Sequence, residues 1–255
     1  MFASHPSRRV PLSWLVLATA WLLITTAIAR AAEPDPAQRA AFRQAYVAAQ
    51  QGGTAWQALA SGLRDYPLYP YLQAAALEHD IQQIDRATVE QYLAHYPDWI
   101  PAADLRRDFL RELARRQDWT NFLALYQPGL GDTLTCNALQ ARLASGVTLN
   151  FETDLAALWA KPNLPGACDQ VLDAAHDQGL LTSARVWTRI DRAADAGQPG
   201  TIANLAGWLP ADDRVSAQRL ALALRDPSAA LADAANWPDT PRARQAATLA
   251  LTRLA

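Results

Sequence analysis

The chain has little of what usually announces chemistry. Its 255 residues include two cysteines, one methionine and four histidines. Two cysteines are too few for a disulfide-dense miniprotein, and they lack the clustering of a structural zinc site. A formal net charge of −2 excludes a basic nucleic-acid footprint over the whole chain. No G-x-S-x-G elbow, H-E-x-x-H pair or phosphate-binding glycine loop occurs. Stretches alternating Val, Ile or Thr with polar residues are also missing, so strand evidence is thin. What remains is ample for a fold: 51% of residues are hydrophobic, and 19% charged argues against a disordered chain. The length suits one large domain or two small ones.

The first thirty residues read as an address. Arg8 and Arg9 precede an uncharged, largely apolar run from Trp14 to Ala29, and small residues follow at cleavage spacing, as Ala27-Ile28-Ala29 or Ala29-Arg30-Ala31. That is the layout of a secretory signal peptide. The run is shorter than the roughly 20 residues that span a bilayer, which argues against an anchor. No cysteine lies near the cut, so a lipoprotein anchor is excluded. Ser7-Arg8-Arg9 hints at twin-arginine export, but Pro11 sits where an apolar residue is expected, and Sec export fits better. Residues 1–29 are therefore expected to be a cleaved signal and residues 30–255 the working domain. Cleavage removes two arginines and no acids, taking the charge from −2 to −4. No second long apolar run follows, so no membrane association is expected afterwards.

The body is rich in Ala, Leu, Arg, Gln and Glu, strong helix formers. In 104–116, Leu105, Phe109 and Leu113 recur four apart, with arginines and Glu112 largely on the other face. In 183–194, Val186, Trp187, Ile190, Ala193 and Ala194 form one stripe, and Gly197 offers a left-handed stop. Residues 201–209 repeat the pattern and halt at Pro210; residues 212–225 run to Asp226-Pro227. Start and stop signals give about fourteen short helices from Pro36 onward. Short helices on short loops pack as antiparallel pairs, and pairs in series make an irregular α-superhelix. No fixed repeat period is present, and the alternative is a compact helical bundle. The run 65–72, with three tyrosines and two prolines, predicts a rigid connector into a helix over 73–79, its rings plugging a seam between helix pairs.

Cys136 begins an apolar stripe with Leu139 and Leu143, and Cys168 begins one with Val171, Leu172 and Ala175. Both thiols should face the interior, and in an exported chain such a pair is expected to be oxidised. The alternative is two buried thiols acting as small hydrophobes. His79, His95 and His176 lie near helix ends without ligand-spaced partners, and read as surface or capping residues. Asp108–Arg111 and Glu112–Arg116 have helical ion-pair spacing and predict a solvated face. Glu78 and Glu152 have apolar neighbours, but nothing promotes either to a catalytic acid. Seven tryptophans (56, 99, 119, 159, 187, 208 and 237) read as filler between helix pairs rather than sugar-stacking platforms. No catalytic, cofactor or metal residues emerge.

The run Asp65-Tyr66-Pro67-Leu68-Tyr69-Pro70-Tyr71-Leu72 resembles a segment of the soluble lytic murein transglycosylases. So, in order, do the run from Glu112 to Trp119, Cys136-Asn137, Ala167-Cys168-Asp169, Ile190-Asp191-Arg192 and the run from Leu205 to Asp212. The resemblance implies a periplasmic protein of peptidoglycan turnover whose N-terminal part is a long superhelix. In the family a linker and a lysozyme-like domain follow, which cleaves between N-acetylmuramic acid and N-acetylglucosamine to a 1,6-anhydro product with a single glutamate. The family's E-S-x-W and G-L-M-Q motifs are absent: no Glu-Ser pair occurs and Met1 is the only methionine. The chain is thus expected to be the superhelical part, truncated at its C-terminal end and inactive alone, meeting glycan strands or cell-wall enzymes. The rival expectation is a stand-alone periplasmic interaction module that recruits such enzymes.

Overall fold

A computed structural model describes residues 35–255; the candidate signal peptide, residues 1–29, lies outside the described residues. Among the described residues there are helices and turns but no strand. Fourteen α-helices follow in order: α1 (Pro36–Gln50), α2 (Ala55–Leu59), α3 (Tyr69–His79), α4 (Arg86–His95), α5 (Ile100–Arg115), α6 (Trp119–Leu125) and α7 (Asp132–Ala144). After a π-turn at Phe151–Leu155 come α8 (Ala156–Trp159), a 3-10 turn at Gly166–Cys168, α9 (Asp169–Asp177), α10 (Ser183–Asp195) and α11 (Pro199–Ala206). The series ends with α12 (Ala211–Arg225), α13 (Pro227–Asp233) and α14 (Pro241–Leu254). The all-α expectation is met.

A local code sets these boundaries. Asp35, Asp226 and Thr240 each cap a helix whose first residue is proline, accepting from the backbone N–H of Ala37, Ala229 and Ala243. The side-chain oxygen satisfies an orphan amide, while proline occupies a position whose own N–H would have no partner. The same tolerance explains two differences from expectation. Pro101 and Pro70 sit at the second positions of α5 and α3, so α5 starts at Ile100 rather than 104 and α3 at Tyr69 rather than 73.

At the other ends, α5, α7, α9 and α10 stop in one way. The amide two residues past the cap bonds the carbonyl five back: Asp118 to Leu113, Val147 to Arg142, Leu180 to Ala175 and Gln198 to Ala193. The residue between must take positive φ. Glycine fills it in three cases, including the foreseen Gly197 at +66°, but Gln117 fills it after α5 at +57°.

The described residues divide into two compact units, one ending at Ala76 and one running from Leu77 to Ala255. In the first, α1 packs on α2 around Ala45, Ala49, Trp56, Leu63, Tyr66 and Leu72. Tyr66 lies against Phe42 with ring centroids 5.3 Å apart, so this tyrosine of the 65–72 run fills a helix seam. In the second unit, α4 to α7 each pack on their sequence neighbour, and so do α10 to α14, with α14 also reaching α12. One core, from Cys136 to Ala250, runs through α7–α14 and includes the stripe of Val186, Ile190 and Ala193. Burying a side chain such as Ile190 contributes about 1.5–3 kcal/mol.

Candidate functional site

The α7–α9 junction is where covalent and polar constraints converge. Cys136, in the second turn of α7, is disulfide-bonded to Cys168, which closes the 3-10 turn ahead of α9; their Cα atoms are 4.9 Å apart. Both half-cystines are buried, at 0% and 1% exposure. Gln140, the polar break in the first cysteine's stripe, donates from Nε2 to the Ala167 carbonyl at 2.5 Å. One covalent link and one hydrogen bond thus join the same two segments.

Beside this junction lies an open cleft of about 400 Å³. Its walls include Arg111 and Arg115 from α5, the strained Gln117, Asn137 and Gln140 from α7, and Gln170 from α9. Asn137 is buried at 8% exposure. Such a lining offers amide and guanidinium donors and no carboxylate, histidine or thiol, so it can hold a polar molecule but cannot move its protons.

The carboxylates flagged in the sequence are not brought together. Glu152 is exposed and accepts from Arg185 Nη2 at 2.9 Å. Glu78 is half-buried, and its carboxyl is raised above its ordinary value of 4.5 by burial first, then by Asp108 and Asp104. Asp108 bonds Arg111 as expected. Glu112 departs from the solvated face predicted for it: it is 7% exposed and held by both Arg115 and Arg116, at 2.7 and 3.2 Å. The Arg115 hydrogen bond, against opposing burial, keeps its carboxyl below the usual value. In the π-turn, burial raises Asp154, and the paired hydrogen bonds from Arg142 (2.7 and 3.2 Å) and the Asn150 N–H outweigh it, leaving it below the ordinary value.

His79 and His95 are exposed at the ends of α3 and α4. His176 is half-buried and stacks on Trp208 at 5.7 Å, and Trp208 stacks on Trp159 at 6.2 Å. Trp56, Trp159 and Trp187 are buried, Trp119, Trp208 and Trp237 half-buried, and Trp99 is 38% exposed. Among the described residues no group of three His, Cys, Asp or Glu could hold a metal ion, and no helix is long and apolar enough to cross a membrane. Sequence reading missed Arg189, which is 6% exposed although it lies beside the apolar stripe of α10. No periodicity signals it, because its burial depends on Trp159 from a different element.

Fold and surfaces define an all-α protein of short, successively packed helices with a cross-linked polar cleft and no assembled acid–base pair among the described residues. No family model matches the chain. It is 30% identical over 248 residues to the soluble lytic murein transglycosylase of Escherichia coli K12, covering 95% of this chain and 38% of that protein. The Salmonella typhimurium protein of the same name is 31% identical over 253 residues, covering 97% and 39%. The crystal structure of the 70 kDa soluble lytic transglycosylase from Escherichia coli superposes with a TM-score of 0.73 and 29% identity, over 87% of this chain and 36% of that one. The chain is a relative of the soluble lytic murein transglycosylases, as its motif series suggested, and spans about two fifths of the length of the curated proteins it matches.

Proposed function

We propose that the chain is the helical scaffold of a lytic transglycosylase-like protein of peptidoglycan turnover, exported to the periplasm by residues 1–29, and that residues 30–255 shape access for glycan strands or cell-wall enzymes without cutting glycan themselves. One observation carries this: likeness to the transglycosylases extends over 95% of this chain yet only 38% of theirs. The absence of Glu-Ser and G-L-M-Q motifs, and a cleft lined by donors without a carboxylate, support the same division of labour. A lytic transglycosylase needs a carboxyl placed to protonate the glycosidic oxygen; Glu112 is tied up by two arginines and Glu152 by one.

The test is incubation of the purified protein with murein sacculi, followed by chromatography of the soluble products. No 1,6-anhydro-muropeptides are expected above a buffer control. Their release in proportion to protein added overturns the proposal.

A further inference from the structure

A second pocket, on the other side of α9, carries a charge pattern that the scaffold does not need. About 520 Å³ in volume, it is bounded by α9, α10, α11 and the loop that follows α8. On one wall stands Arg189. Its guanidinium lies 4.7 Å from the Trp159 ring centroid and donates from Nη1 to the Trp159 carbonyl at 3.0 Å. Among the described residues it has no other hydrogen bond and no carboxylate within ion-pair distance. Burial, and then the charge of Arg192, push it below the ordinary arginine value. Buried charges in proteins are as a rule paired, because a low-dielectric site penalises a lone ion. Arg189 lacks a carboxylate, and the nitrogens of its fork that make no hydrogen bond are accessible rather than sealed in the core.

The other wall carries the opposite sign. Asp169 and Asp173 are one turn apart on α9 and both line the pocket. Like charges at this spacing repel. Both are exposed, and neither has an ion-pair partner among the described residues. Two oppositely charged walls thus face one cavity without neutralising each other. Trp208, stacked on both Trp159 and His176, lines the same pocket, as do the short polar side chains of Thr201 and Asn204.

We propose that this pocket binds a small zwitterion, a free α-amino acid or a dipeptide, with the ligand's carboxylate on the Arg189 fork and its ammonium on Asp169 and Asp173. A planar guanidinium already oriented by a ring and a carbonyl matches a carboxylate bidentately at little ordering cost. A simple anion is disfavoured by the two aspartates and a simple amine by Arg189, so both charges are needed at once. The inference is independent of any role in peptidoglycan turnover.

Isothermal titration of the whole chain tests it with alanine, alanylalanine, alanylalanine amide and N-acetyl-alanylalanine. Saturable binding of alanine or alanylalanine is expected, and the stronger of the two names the ligand size. Removing either terminal charge should weaken binding about tenfold or more, the size of one charge-assisted hydrogen bond. Arg189→Lys should weaken binding by a similar factor. Asp173→Asn, on an exposed face of α9, should weaken alanylalanine while leaving the N-acetylated form unchanged, which keeps the test valid if the arginine variant misfolds. No saturable binding of alanine or alanylalanine, or equal binding of the amidated form, overturns the proposal.

Discussion

Breaking the Cys136–Cys168 bond by reduction turns two half-cystines into thiols and removes no heavy atom, so it isolates the value of the link. The two residues are 32 apart in sequence, closing a loop of 33 residues counting both ends. The chain-entropy relation then assigns about 3.7 kcal/mol to restriction of the unfolded chain. Both sulfurs are buried, so the folded state should lose little else, and the Gln140–Ala167 bond keeps the segments in register. For a unit the size of residues 77–255 such a loss lowers the melting temperature by about 7 to 15 °C. The assay is circular dichroism at the helical minimum, comparing oxidised protein with protein reduced while unfolded and refolded under reductant. At 25 °C both forms should show the same helix content. Melting temperatures within about 2 °C of each other would refute the loop-closure reasoning. A loss of helix before heating would refute the claim that the bond acts through the unfolded chain.

Three further perturbations probe other parts of the fold. Glu78→Gln should stabilise the protein at neutral pH: a carboxyl whose folded pKa is raised binds its proton more tightly when folded, so stability falls as pH rises through the folded value. The gain should vanish well below the ordinary value, and urea midpoints at acidic and neutral pH compare the two regimes. Arg242 stacks on Trp187 at 3.9 Å and holds Asp191 at 2.5 and 3.2 Å, tying α14 to α10. Arg242→Lys keeps the charge but loses fork and stacking, and should cost about 1 kcal/mol in urea denaturation. Gln117→Gly relieves a left-handed strain of roughly 1–2 kcal/mol against a smaller unfolded-state entropy cost, so a small net rise in the urea midpoint is expected.

How far the sequence carried follows from what each feature depends on. The α10 stripe was legible because Val186, Ile190 and Ala193 repeat at the helical period whatever they pack against. Helix stops were legible at Gly197, Pro210 and Asp226-Pro227, where glycine or proline marked them. The start of α5 was not, because the apolar repeat of Leu105, Phe109 and Leu113 begins only after Pro101, which the second helical position accepts. Glu112 was misjudged for a related reason. Its spacing to Arg116 is that of a surface pair, but α5 packs against α4, α6 and α7, and a residue on its polar side can still be covered by a neighbour.

The polar cleft and the Arg189 pocket lay further out of reach, since both are products of packing between elements rather than of pattern within one. Gln117, Asn137 and Gln170 come from three segments and share a wall because the disulfide holds α7 against the turn before α9. Arg189 loses its water because Trp159, thirty residues earlier, offers a ring and a carbonyl at the right height. Each of these residues is unremarkable by type and spacing. Their chemistry becomes visible only when one asks which buried charge was left without the counter-charge that burial normally demands. Among the described residues that question singles out Arg189, because Glu112, the other buried charge, is held by two arginines.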